Sequence, residues 1–183
     1  MRNSLFAALL ALALAGSPAW AADATSVNQN IQRGDLQTAL QQVDALLVQN
    51  PKDPQYQFLK GVILTQQKED AQAIEVFKAL TEQYPELPEP YNNLAVLYAR
   101  QGRYDKARSA LEMAIRTNPS FATAQENLGD IDAKLAGQAY QKALQLAPGD
   151  DTRIKFKLKL IRELLGQAPL TPEPPAAPVV KSQ

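Results

Sequence analysis

The chain of 183 residues contains no cysteine and no histidine. Without cysteine it cannot form a disulfide bond or carry a lipid on a cysteine side chain. Without either residue type, Ser-His and Cys-His catalysis and His-ligated metal sites are excluded. These absences exclude most classes of enzyme.

Glycine is scarce and stands singly, so no glycine-rich loop is available to hold a phosphate. Acid–base chemistry retains three candidate carboxylate pairs, Glu69/Asp70, Asp130/Asp132 and Asp150/Asp151. Such chemistry needs two carboxyl groups about 5 to 10 Å apart across a cleft. Two pairs are expected in loops or caps, and Asp130 and Asp132 diverge on a helix because they are two positions apart. We expect no enzymatic activity, no cofactor, no metal and no small-molecule substrate.

An excess of one charge is also missing, because 19 basic side chains balance 19 acidic ones. No long-range field attracts nucleic acid, so no nucleic-acid partner is expected. The one long apolar run, residues 5–15, follows Arg2 and precedes Ala19-Trp20-Ala21, a pattern typical of a cleaved signal peptide. A membrane anchor is disfavoured because crossing needs about 20 apolar residues. We expect cleavage after Ala21 and a periplasmic mature chain.

Three prolines, Pro51, Pro85 and Pro119, lie 34 residues apart. The same interval recurs in small and large apolar residues, namely Ala39, Ala73, Ala107, Val43, Phe77 and Leu111. A fixed period of this size is typical of a repeat protein. In residues 88–121 the apolar spacing predicts two helices separated at Gly102 and ended by Pro119.

The segment 91–119 resembles the tetratricopeptide repeat family, whose pattern is Trp-x2-Leu-Gly-x2-Tyr, Ala-x3-Phe and Pro. The matching residues are Tyr91, Leu94, Ala95, Tyr98, Ala107, Leu111 and Pro119. The resemblance implies an all-α solenoid of helical hairpins with about three to four repeats and a C-terminal capping helix. In the weaker unit 54–87, Lys68 replaces the turn glycine, and a left-handed turn there costs of order 1 kcal/mol.

The fourth unit is five residues short, since Pro148 follows Pro119 by 29 residues instead of 34. It lacks a turn signal between Asp132 and Ala139, so we expect one helix over 121–147, with Gly137 costing about 1 kcal/mol inside it. A capping helix is then expected to fold back on it, with an inner stripe formed by Ile154, Leu158, Ile161 and Leu165. Basic and apolar residues alternate over 153–160, so a strand is one disfavoured alternative for this segment. A membrane-surface helix is another.

The predicted organisation is a signal peptide (1–21), a solenoid domain (22–166) and a proline-rich disordered tail (167–183). Within the domain the units are 22–53, 54–87, 88–121 and 122–150, with the cap at 151–166.

The resemblance also implies a concave groove lined by the first helix of each unit. The corresponding positions are Phe58, Val62, Asn92, Val96, Glu126 and Asp130. The groove would change from apolar to acidic, which suits a partner with apolar and basic parts. An equally weighted alternative is that Phe58 and Val62 pack against the first unit or the tail.

These features predict a protein-binding adaptor or scaffold of the bacterial envelope that holds a peptide or helix. The first alternative is a structural subunit that uses repeat edges or the capping helix. A weaker alternative is membrane-surface association through the basic last helix, although membrane contact is not expected.

Overall fold

The protein is described by a computed structural model for residues 24–147, 149 and 151–166. Within these ranges the chain is all-α, with eight helices in sequence: α1 (Ala24–Arg33), α2 (Leu36–Gln49), α3 (Pro54–Gln66), α4 (Asp70–Gln83), α5 (Pro88–Arg100), α6 (Tyr104–Thr117), α7 (Ala122–Leu146) and α8 (Thr152–Leu165). The expected signal peptide and proline-rich tail lie outside the described residues. No described helix is long and apolar enough to cross a membrane.

The first six helices form three hairpins, and each helix packs on the next one along the chain. Proline and aspartate set where the helices begin. Asp53 caps α3 by accepting hydrogen bonds from the backbone N–H groups of Gln55 and Tyr56, and Pro54 occupies the first turn. In α5, Pro88 takes the same place. The all-α hairpin architecture that the family resemblance implies is confirmed.

The turns inside the three hairpins repeat with the same period. Gly34, Lys68 and Gly102 have φ angles of 78°, 63° and 71°. Glycine adopts this left-handed region without steric cost, whereas lysine does not. The strained turn expected at Lys68 is confirmed.

Small residues allow the helices of each hairpin to approach closely. In α3, Gly61 lies against the ring of Phe77 from α4, and a Cβ atom on Gly61 would come 2.6 Å from that ring. In α6, Ala107, Leu111 and Ala114 are completely buried. The core therefore runs along the array between first and second helices.

The fourth unit does not form a hairpin, because α7 continues for 25 residues from Ala122 to Leu146. This confirms the long helix predicted from the missing turn signal. The side chain of Asp151 then caps α8 by accepting a hydrogen bond from the backbone N–H of Ile154 at 3.1 Å. Leu158 is buried where α8 packs on α7. The strand alternative for this segment is wrong.

Candidate protein-binding face

The six predicted groove residues lie in pairs on three first helices. Phe58 and Val62 are on α3, Asn92 and Val96 are on α5, and Glu126 and Asp130 are on α7. The members of each pair are four positions apart, so they share one side of their helix. We refer to these six residues as the first-helix face.

The first-helix face is buried at one end and exposed at the other. Its residues on α3 and α5 are buried, whereas Glu126 is exposed and Asp130 is half-buried. The Phe58 ring packs on the Phe77 ring of α4 with centroids 5.7 Å apart and a tilt of 60°. Phe58 and Val62 both belong to the hydrophobic core. Their role in binding a partner stays a prediction, whereas the structure shows that they pack in the core.

A buried amide pair joins α5 to α7. The Nδ2 group of Asn127 donates a hydrogen bond to Oδ1 of Asn92 at 2.8 Å. The Nδ2 group of Asn92 has no hydrogen-bond partner among the described residues. The sequence pattern does not predict this pair, although both asparagines occupy first helices of successive units and are 35 residues apart. One period plus one residue is the signal that could have indicated it.

The start of α5 holds two more polar side chains beside the first-helix face. Asn93 is buried, and its Nδ2 donates to the backbone oxygen of Glu89 at 3.0 Å. One carboxylate oxygen of Glu89 is buried without a partner among the described residues. The Asn93 amide is therefore satisfied within α5 and does not point to a partner.

Two of the candidate carboxylate pairs, Glu69/Asp70 and Asp130/Asp132, lie within the described residues, whereas Asp150 of the third pair lies outside them. Asp70 forms an ion pair with Arg100 at 3.1 Å, beside a cleft of about 290 Å³. Asp132 forms an ion pair with Arg108 at 3.3 Å. The described residues contain no group of three carboxylates placed to hold a metal ion. The two ion pairs link neighbouring helices, the first joining α4 to α5 and the second joining α6 to α7.

One titratable group near the first-helix face is clearly perturbed. Burial raises the pKa of Tyr91 above its usual value, and the negative charge of Glu86 raises it further. The Tyr91 hydroxyl donates to the backbone oxygen of Thr81 at 3.3 Å, a bond that requires the protonated phenol. The local environment therefore favours the neutral form.

A second cleft, of about 300 Å³, lies between α7 and α8. Its lining includes the apolar side chains of Leu158, Ile161 and Leu165 and the cationic side chains of Lys134 and Arg162. It exists because α7 continues past the point where an ordinary unit turns back.

Two family models described as tetratricopeptide repeat match residues 31–88 and 64–128. Tetratricopeptide repeat protein 16 of Macaca fascicularis is 28% identical over 151 residues, covering 73% of this chain and 17% of that protein. The chloroplastic tetratricopeptide repeat domain-containing protein PYG7 of Arabidopsis thaliana is 36% identical over 70 residues, covering 36% of this chain and 23% of that protein. The chain thus spans less than a quarter of the length of these curated relatives.

Among solved structures, the fold is similar to TTC0263, a thermophilic tetratricopeptide repeat protein of Thermus thermophilus. The TM-score is 0.56 with 24% identity, and the match covers 77% of this chain and 80% of that one. This likeness shows the arrangement of helices.

Proposed function

Because the chain belongs to the tetratricopeptide repeat family, whose members typically mediate protein–protein interactions, we propose that it is a non-enzymatic adaptor. It holds a peptide or helix of a partner protein at the accessible end of the first-helix face. The observation that carries this proposal is the change along that face from buried apolar residues to the accessible carboxylates Glu126 and Asp130. A partner segment with basic residues suits the accessible end.

The buried residues of the first-helix face hold its helices in place and do not contact the partner. Phe58 and Val62 hold α3 in the core, and Asn92 holds α5 to α7. Substituting a charge at Phe58 would unfold the unit as well as alter the surface, because an unpaired buried charge is costly. Tests of binding therefore need the exposed residues.

The test compares a Glu126→Lys/Asp130→Lys variant with Glu82→Lys, an exposed acidic position on α4. Crosslinking in the native envelope identifies the partner, and titration with that purified partner gives the affinities. We expect Glu126→Lys/Asp130→Lys to weaken binding at least about tenfold, whereas Glu82→Lys leaves it unchanged. Equal affinities for all three proteins would contradict the proposal. Loss caused only by changes on α8 would instead support the structural-subunit alternative.

We also propose that the protein works in the periplasm after cleavage following Ala21. The support is the composition of residues 1–21, with an apolar run between Arg2 and Ala19-Trp20-Ala21. Trp20 is the only tryptophan, so the mature protein has none. Indole fluorescence in the purified exported protein would show that the segment is retained.

A further inference from the structure

The outer side of α8 carries an apolar stripe that no described residue covers. Phe156, Leu160 and Leu164 are 59%, 48% and 60% exposed. They are four positions apart, so they follow one side of the helix over about 12 Å. We refer to these three residues as the α8 stripe.

The opposite side of α8 performs the capping role. Leu158 is buried there, with Ile154, Ile161 and Leu165 half-buried around it. The Lys157 ammonium group also lies 5.0 Å from the centre of the Tyr140 ring on α7. The contacts on the inner side and the cap at Asp151 hold α8 as a helix. The α8 stripe is therefore already formed before a partner binds.

The helix that carries the α8 stripe is strongly basic. The helix Thr152–Leu165 contains five basic residues and one acidic residue, a net charge of +4. The whole chain has a net charge of zero, so the remainder carries −4. Arg153 lies beside Phe156, three positions before it, and Lys157 lies at the boundary between the α8 stripe and the inner side, where it contacts Tyr140. Arg153 also forms an ion pair with Asp151, and Lys159 forms one with Glu163, each at 3.7 Å. The exposed apolar stripe therefore lies on the helix that carries the largest net positive charge among the described helices.

We propose that α8 docks in the plane of an anionic lipid surface, with the α8 stripe entering the interface and the flanking cations reaching the headgroups. Amphipathic basic helices bind membranes in this way, through apolar burial together with attraction to anionic lipids. Long lysine and arginine side chains can extend to the headgroups while their stems stay near the apolar stripe. The helix has 14 residues and lies on the surface instead of crossing it.

Charge selects this occupant over a second copy of the chain. Apposing two α8 helices would bring two surfaces of net charge +4 together, which is repulsive. An anionic bilayer neutralises those charges and needs no matching shape. The α8 stripe is separate from the first-helix face. A negative result for membrane binding would therefore leave the proposed adaptor function untouched.

The experiment uses the chain from Ala22 to Gln183, which keeps every described residue and removes the apolar run 5–15 and Trp20. A Phe156→Trp substitution then provides the only tryptophan. We expect its emission to shift to the blue by about 10 nm or more on vesicles containing phosphatidylglycerol, because the indole enters the interface. Val48→Trp is the matched control, since Val48 is 81% exposed on α2, and we expect no shift.

Two further variants separate the apolar and electrostatic contributions in the Phe156→Trp background. Leu160→Ser/Leu164→Ser should weaken vesicle binding at least about tenfold. Arg153→Gln/Lys157→Gln should weaken it about 25-fold, at roughly fivefold per charge. Lys106→Gln/Arg116→Gln on α6 is the matched charge control and should bind as the parent does. Circular dichroism verifies that each variant keeps its helices.

Binding to neutral phosphatidylcholine vesicles should be at least about tenfold weaker, and roughly 0.5 M salt should weaken binding to the anionic vesicles. The proposal is overturned if anionic vesicles produce no shift, or if neutral vesicles produce the same shift. It is also overturned if the Val48→Trp control shifts equally. A protein that ignores vesicles but pairs through α8 with an acidic amphipathic peptide would overturn it in favour of a protein partner.

Discussion

Asn127 on α7 donates a buried side-chain hydrogen bond to Asn92 on α5, and this 2.8 Å contact joins the first helices of two successive units. The second polar atom of the Asn92 amide is already without a described partner. Any loss of the Asn127 amide therefore leaves both ends of the Asn92 side chain unsatisfied. Buried polar groups are costly in that state.

We expect Asn127→Ala to lower the free energy of unfolding by about 1 to 3 kcal/mol, because it strands the Asn92 amide in the interior. Replacing both residues with leucine should cost less than the sum of the two single replacements, since neither partner is then left unpaired. Urea unfolding followed by circular dichroism measures the wild type, Asn127→Ala, the two single leucine variants and the double leucine variant. Additive effects would show that the two amides are not coupled.

A methyl group at Gly61 should destabilise the second hairpin. The Cβ atom of Gly61→Ala would lie 2.6 Å from the Phe77 ring, so the ring or the helices must move. We expect a loss of about 1 to 3 kcal/mol in thermal or urea unfolding. In the Phe77→Leu background the same change should cost less, because the smaller side chain leaves room. An equal loss in both backgrounds would place the strain elsewhere.

The sequence predicts the helices and turns more completely than it predicts which side chains are buried. The 34-residue period and the missing turn signal fix the hairpins and the long α7, because both depend on local patterns of apolar, glycine and proline residues. The period also assigns Phe58 and Asn92 to one side of their helices. It does not reveal that both are completely buried, because burial depends on which neighbouring helices cover that side. For the same reason, the period does not predict the Asn92–Asn127 bond.

Replacing Lys68 with glycine should stabilise the protein. Lys68 has a φ angle of 63° and is exposed, so the substitution removes backbone strain with little loss of contact. We expect a gain of about 0.5 to 1 kcal/mol in the free energy of unfolding, after allowing for the greater freedom of glycine in the unfolded chain. Gly102→Lys, at a φ of 71°, is the reciprocal control and should lose a similar amount. A destabilised Lys68→Gly protein would contradict this account.

Alkaline pH should weaken the fold through Tyr91. Burial and the charge of Glu86 raise its folded pKa above the ordinary value of 10.0, so the folded state favours the neutral phenol. This contribution is complete below about pH 10 and is lost as the pH rises through the higher folded pKa. The stability difference between wild type and Tyr91→Phe should be constant from about pH 7 to 9 and shift against the wild type above about pH 10. A difference that stays constant throughout the alkaline range would exclude this linkage.

Gly129 and Gly137 test whether the fourth unit is one continuous helix. At the corresponding repeat position Gly61 faces Phe77, but a Cβ on Gly129 would meet nothing within 4 Å. A Cβ on Gly137 would lie 3.4 Å from Ile161 of α8, an ordinary contact. Both glycines are inside α7, where alanine is favoured by about 1 kcal/mol.

We therefore expect Gly129→Ala and Gly137→Ala each to raise the free energy of unfolding by about 1 kcal/mol. The gain at Gly137 should be at least as large, since its new methyl group also contacts α8. Gly61→Ala should instead lower the free energy of unfolding, although the chemical change is the same. The difference among the three variants therefore reports the space around each glycine. If Gly137→Ala destabilises the protein while Gly129→Ala stabilises it, the chain does not continue as a helix past Asp132, and the packing of α8 on α7 is different.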